Sequence, residues 1–202
     1  MKSGTKKALI TVGIIVVVLF GAYSCYKSAY NGMVSRDEGV QSAWAQVQNQ
    51  YQRRMDLIPN LVNTVKGYAS HEEGVFTAIA EARAKAGGVV NVDASMLDDP
   101  EQFKKYQQAQ DALGASLRRL LVVSENYPEL KANQNFLSLQ DELEGTENRI
   151  STERRRYNEG VKDYNQFIRE FPRSIIANMS GFRTKAYFEA SEAAQSAPVV
   201  QF

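Results

Sequence analysis

VQSAWAQVQNQYQRRMDLIPNLVNTV, residues 40–65, is the stretch on which the fold turns. Its apolar residues fall at Val40, Trp44, Val47, Tyr51, Met55, Ile58, Val62 and Val65, so seven steps cover 25 residues, near 3.6 each. That is the period of a helix, not the alternation of a strand. The phase is the same on both sides of Pro59, and a loop there would have no reason to keep it. The spacing therefore predicts one helix over residues 31–85, kinked where Pro59 removes the hydrogen bond to the Met55 carbonyl. Gly67 and Gly74 weaken this helix further.

Beyond it, AGGVVNVDASMLDDP breaks the pattern. Gly87 and Gly88 end the first helix, and a connector runs to Asp99. Asp99-Pro100-Glu101 is a helix start, with a capping carboxylate, a proline in the first turn and then an acid. The second helix reaches about Asn126, with Phe103, Tyr106, Leu113, Leu117, Leu120 and Ser124 on its stripe and Gln110 in register. A third, long helix is predicted over residues 129–171. Its stripe is Phe136, Leu139, Leu143, Thr146, Ile150, Glu153, Tyr157, Val161, Tyr164, Ile168 and Phe171, ten steps in 35 residues, which is the coiled-coil period of 3.5. A shorter helix fits SIIANM, and the Ala/Ser-rich end reads as a partly ordered tail.

The N-terminus is basic through residue 7, and residues 8–25, ALITVGIIVVVLFGAYSC, carry no charge. Such a run suits a helix across the ~30 Å hydrocarbon core of a bilayer, with Tyr23 and Tyr26 at its edge. Lys2, Lys6 and Lys7 before it favour a cytoplasmic N-terminus and a large extracytoplasmic domain. A cleaved signal peptide is the rival reading, because Ala22-Tyr23-Ser24 fits a small-x-small site and Cys25 would then be a lipidation candidate. The segment after the span holds no proline until Pro59, so the first bundle helix can run on from the membrane. The expected layout is a basic flank (1–7), an anchor (8–26), a bundle (27–190) and a tail (191–202).

With 202 residues and a net charge of +1, the chain offers no global electrostatic case for nucleic acid. One cysteine excludes an intrachain disulfide, and one histidine, His71, leaves little for triads or metal sites. No phosphate loop, G-x-S-x-G or H-E-x-x-H occurs. No cofactor is expected. Arg53, Arg54 and Asp56 read either as an anion or partner site or as a solvated face with an Arg53–Asp56 helix pair. LEGTENRI, residues 143–150, puts Thr146 on the apolar stripe beside Glu142, Glu144, Glu147 and Arg149. It reads as a register-fixing polar layer or, less economically, as a metal-binding carboxylate cluster. The run Glu153-Arg154-Arg155-Arg156 reads as a solvated face or a lipid-headgroup contact. Trp44, Tyr51, Tyr157 and Tyr164 read as core or as an interface.

These residues together resemble the LemA family of bacterial membrane proteins. The likeness lies in YNGMVSRDEGVQSAWAQVQNQYQRRMDLIPNLVNTVKGYASHE, in LLVVSENYPELKANQNFLSLQDELEGTENRI, in RRRYNEGVKDYNQFIREFP and in GFRTKAYFEA. The resemblance implies a short membrane segment and a long antiparallel helical bundle, without an assigned activity. It singles out Arg53, Arg54, Asp56, Pro59 and Asn60 in the first helix. In the third it singles out Glu144, Gly145, Thr146, Glu147, Asn148 and Arg149, with Tyr157 and Asn158 beyond. They are candidates for contact or structure. The expected fold is all-α: an N-terminal transmembrane helix and an antiparallel bundle of three long helices with a short fourth. The expected function is a non-enzymatic, membrane-anchored envelope protein, contacting lipid, self-assembling as a homo-oligomer or binding envelope partners. The alternative is an accessory subunit of a membrane protease or phosphatase.

Overall fold

A computed structural model describes residues 3–88 and 94–190. The described residues form six α-helices and no strand: α1 (Ser3–Lys66), α2 (Glu73–Gly88), α3 (Pro100–Ser124), α4 (Pro128–Lys131), α5 (Gln134–Arg169) and α6 (Arg173–Ser180). A short 3-10 turn, Ala94–Asp98, precedes α3. The expected connector at residues 89–93 and the tail at 191–202 lie outside the described residues.

The apolar segment and the first bundle helix are one helix, and α1 continues through Pro59. It does not reach Lys85. It ends at Lys66, and Gly67 opens a turn in which the Tyr68 and Ala69 amides both donate to the Val65 carbonyl. The chain then reverses into α2, which brings Phe76 beside Lys66 and Gly87 beside Met55. The reversal wins because Val75, Phe76, Ile79, Ala82 and Ala86 are buried by it, in one cluster with Leu113, Leu117 and Leu120 of α3. A straight helix would leave that face in water, at roughly 25 cal/mol for each Å² not buried.

Asp99 caps α3 as its sequence requires, its Oδ1 accepting the Glu101 and Gln102 amides at 3.0 and 3.1 Å. The long third helix is interrupted at its start. After α4, Asn133 leaves helical geometry (φ −76°, ψ 119°) and its Oδ1 accepts the Phe136 amide at 3.0 Å, capping α5. Asparagine's short acceptor competes with helical backbone bonding, so a break at Asn133 replaces the continuous helix expected from residue 129. At the other end α5 stops at Arg169, and Phe171 is 82% exposed rather than the last residue of the stripe.

α5 lies antiparallel along α1. Arg36 bonds Asp163 at 2.9 Å, and Gly32 faces Phe167 so closely that a Cβ there would sit 2.6 Å from Phe167 Cζ. The remaining stripe residues face inward. Two apolar clusters result. One gathers Met33, Val40, Trp44, Val47, Tyr51, Phe103, Tyr157 and Tyr164 near the anchor. The other gathers Ile58, Leu61, Val65, Ile79, Leu117, Phe136 and Leu143 at the far end. Trp44 packs against Phe103, Tyr106, Tyr157 and Phe188 with ring centroids 5.2–6.0 Å apart. Of the two readings of these aromatics, they fill the core.

Candidate functional site

Between the two clusters lies a polar layer shared by α1, α3 and α5. Arg54 follows Tyr51 by three residues, so it turns to the buried face and is only 2% exposed. Its Nη1 donates to Glu147 Oε1 at 2.9 Å. Its Nη2 donates to the backbone oxygen of Gln110 at 3.1 Å and to Gln110 Oε1 at 2.6 Å. Thr146, also buried, satisfies its hydroxyl on its own helix by donating to the Glu142 carbonyl at 2.7 Å. Two α-helical turns nearer the anchor along α5, Arg154 Nε donates to Tyr51 Oη at 2.6 Å and its Nη2 to Asp111 Oδ1 at 2.7 Å. Each arginine thus meets one carboxylate, and each bond joins different helices, which is how buried charge fixes register. Burial pushes the Tyr51 hydroxyl pKa up, and the neighbouring Arg154 guanidinium opposes this without reversing it. A cleft of about 330 Å³ opens beside the layer, lined by Asp111, Arg118, Glu147, Ser151 and Arg154 among others.

Residues 182–190 form the second element of the site. They have no regular secondary structure, yet they are held in the groove between α3 and α5. Asn165 donates to the Lys185 carbonyl at 2.9 Å and accepts the Lys185 amide at 2.8 Å. Asn158 does the same for Phe188, with both bonds at 2.9 Å. Gln107 repeats it for Glu189, at 2.6 and 3.2 Å. Tyr157 Oη donates to the Ala186 carbonyl at 3.0 Å. Three side-chain amides therefore stand where a neighbouring strand's backbone would, satisfying polar groups that burial would otherwise leave unpaired. Lys185 Nζ reaches Asp37 at 2.9 Å and Asp98 at 2.7 Å. Burial alone would lower the lysine pKa, but its bonds to Asp98 and Asp37 outweigh that and leave it raised.

The candidates from the sequence divide sharply. Arg54, Glu147, Tyr157 and Asn158 join this network, and Thr146 is buried in the same layer with its hydroxyl bonded within α5. Arg53, Asp56, Pro59 and Asn60 are exposed on α1, as are Glu144, Asn148 and Arg149 on α5. Asp56 accepts a 2.7 Å bond from Gln52, and the Arg53–Asp56 pair does not form among the described residues. Glu144 is bonded by Gln140 at 3.1 Å. Nothing in the structure requires glycine at Gly145, where a Cβ would meet open space. No group of three or more metal-ligating side chains occurs among the described residues. Arg154 departs from its solvated-face reading, whereas Arg155 is exposed and the exposed Arg156 pairs with Glu153 at 2.8 Å. The sequence reading also missed Asp111, Asn165, Lys185 and their partners. Asn165 had a visible signal, since it adjoins Tyr164 on the buried side of α5; Lys185 had none, because its partners are 148 and 87 residues away.

Fold and site together define an all-α, membrane-associated protein. Its N-terminal helix is long and apolar enough to cross a bilayer, and its helices are locked by a buried polar layer. The chain belongs to the LemA family, whose profile matches residues 43–202. It is similar to the magnetosome protein MamQ 2 of Paramagnetospirillum magneticum, at 26% identity over 98% of this chain and 77% of that one. It is also similar to MamQ of Magnetospirillum gryphiswaldense, at 23% identity over 99% of this chain and 78% of the relative. Protein LemA of Metamycoplasma hominis is 24% identical over 91% of this chain and 76% of its own length.

Proposed function

We propose that this protein is a membrane-anchored, non-enzymatic helical bundle of the bacterial envelope, acting as a self-assembling scaffold or partner-binding module. The observation that carries this reading is α1. It is a single helix of 64 residues, about 96 Å at ~1.5 Å per residue, with exposed apolar side chains at one end and the bundle core at the other. A bundle built on such a rod is held upright on its anchor rather than tethered by a flexible linker. The site supports the non-enzymatic part, since Arg54, Glu147, Tyr157 and Asn158 are engaged in bonds that join the fold's own elements. The basic N-terminal flank favours an extracytoplasmic bundle.

The test is the mass of full-length protein in mild detergent, measured by light scattering with the detergent subtracted. A defined multiple of 22.6 kDa is expected for a self-assembling scaffold. A monomer that carries a second protein in fixed stoichiometry would move the reading to an accessory subunit of a membrane enzyme. A monomer with no companion would remove both.

A further inference from the structure

The register of α5 on α1 predicts where the bundle meets the membrane. Asp163 lies level with Arg36, and Phe167 with Gly32. α5 ends two residues later at Arg169, and the chain stays at this level through the turn at Phe171 and α6: Arg173 lies over the Phe167 ring at 4.1 Å, and Phe182, just past α6, meets Tyr30 edge-on at 5.6 Å. Tyr30 is four residues beyond Tyr26, where the uncharged segment ends, or about 6 Å along the helix axis. The headgroup layer on each side of a bilayer is about 5–7 Å thick, the difference between a ~30 Å core and a ~40–45 Å membrane. Phe171 and the start of α6 therefore fall at headgroup depth.

The side chains at that level fit such a place. Phe171 is 82% exposed, and Ile175 and Met179, one helical turn apart on α6, are 53% and 79% exposed. Behind them Ala177 is buried and Ile176 packs on the core, so α6 has an inner apolar face and a second, uncovered one. Lys27, Arg169 and Arg183 are exposed, and the exposed Glu170 beside Phe171 is paired with Arg173. Tyr26 stacks on Tyr30 at 6.1 Å, and Tyr30 meets Phe182 edge-on at 5.6 Å, continuing the aromatic edge of the span onto the bundle. Single exposed apolar residues are ordinary, but three within nine residues, flanked in the chain by exposed Arg169 and Arg183 and level with the end of an apolar span, are not.

We propose that α6 and the Phe171–Pro172 corner form a second membrane contact, an apolar foot lying in the headgroup layer with Lys27, Arg169 and Arg183 against lipid phosphates. This rests on reading the uncharged segment of α1 as an anchor. The foot fixes the bundle's rotation about the anchor axis, which a lone span leaves free.

The experiment uses full-length protein with Cys25→Ser, reconstituted in nanodiscs of phosphatidylcholine and phosphatidylglycerol. Single cysteines are introduced as Leu19→Cys, Met179→Cys and Val122→Cys and labelled with an environment-sensitive fluorophore. Val122 is 68% exposed near the far end of α3 and serves as the aqueous control. Lipids spin-labelled in the headgroup region or along the acyl chain are the quenchers. The foot predicts quenching of the Met179→Cys label by headgroup spin labels, quenching of the Leu19→Cys label by acyl-chain labels, and neither at Val122→Cys. Adding Arg169→Glu and Arg183→Glu should reduce quenching at the Met179→Cys label without changing it at Leu19→Cys. If the Met179→Cys label behaves like Val122→Cys while Leu19→Cys is quenched, the foot is wrong and the anchor stands. If it is blue-shifted yet untouched by lipid quencher, a second protein copy covers this face and the foot is again wrong. If Leu19→Cys is not quenched, the anchor reading fails and takes the foot with it.

Discussion

Arg54 shows how much one side chain can hold. It is the largest fully buried side chain among the described residues, and its guanidinium joins α1 to α3 and α5 at once. Removing Arg54 leaves the buried Gln110 acceptors unpaired, at about 1–3 kcal/mol, while Glu147 can turn to water; replacing a buried pair by apolar groups of similar volume is often milder. Arg54→Ala is therefore expected to lower unfolding free energy by roughly that amount in denaturant titration. The Arg54→Met, Glu147→Met double variant should lose less than Arg54→Ala alone. A double variant as damaged as Arg54→Ala would mean that the layer adds more than paired burial. Glu147 is 36% exposed, and Glu147→Gln, which keeps an acceptor for the guanidinium, should cost less than Glu147→Ala. The position of Arg54 was readable in the sequence, three residues after Tyr51 on the same stripe, but its charge made it look like surface. Only the arrival of Glu147 from α5, 93 residues away, makes burial tolerable.

At the scale of elements, two segments behave in ways their local sequence does not announce. The extended segment 182–190 depends on carboxamides from α3 and α5. Asn158→Ala removes a donor and an acceptor from a partly buried backbone and should cost about 1–3 kcal/mol. Trp44, the only tryptophan, lies 6.0 Å from the Phe188 ring, so its fluorescence reports the docking directly. Its emission should shift red in Asn158→Ala and Phe188→Ala. An unchanged spectrum in both would show that the segment does not shield the aromatic cluster. Pro59 is the other case. It sits exposed within α1, where its missing amide leaves the helix one hydrogen bond short. Pro59→Ala should raise the melting temperature or leave it unchanged while altering the assembled mass in detergent. An unfolded variant would show that the helix needs the proline's geometry.

For the whole molecule, alkaline pH is the informative axis. Folding raises the hydroxyl pKa of Tyr51, Tyr106, Tyr157 and Tyr164, in each case chiefly through burial, and raises Lys185 through its two aspartates despite burial. Groups raised by folding hold their protons more tightly in the native state. The stability they contribute is complete below the unfolded values, about 10 for tyrosine and 10.4 for lysine, and is lost as pH rises through the folded ones. The melting temperature should therefore fall steeply above about pH 10. Part of the tyrosinate absorbance should appear only together with loss of the helical circular-dichroism signal. Full tyrosine ionisation with the helices intact would contradict the buried placement of these four rings. Lys185→Met should narrow the gap to wild type as pH rises, because the ammonium it removes is itself discharging.

What the amino-acid sequence determined by itself is the helical content and most of the buried faces. The stripes of residues 40–65, 103–124 and 136–168 were legible because a helix repeats its side-chain direction within one turn. Asp99-Pro100 was legible because a cap is satisfied within three residues. Tertiary structure decided where helices had to stop and what their charges meant. α1 ends at Lys66 because the apolar face of α2 gains more against α3 than from continuing in phase. Arg154 is drawn partly into the bundle and Lys185 is buried because carboxylates from other elements neutralise them. Residues 182–190 are ordered because side chains, not neighbours in sequence, complete their backbone hydrogen bonds. In each case the deciding energy comes from partners distant along the chain, and local periodicity carries no record of them.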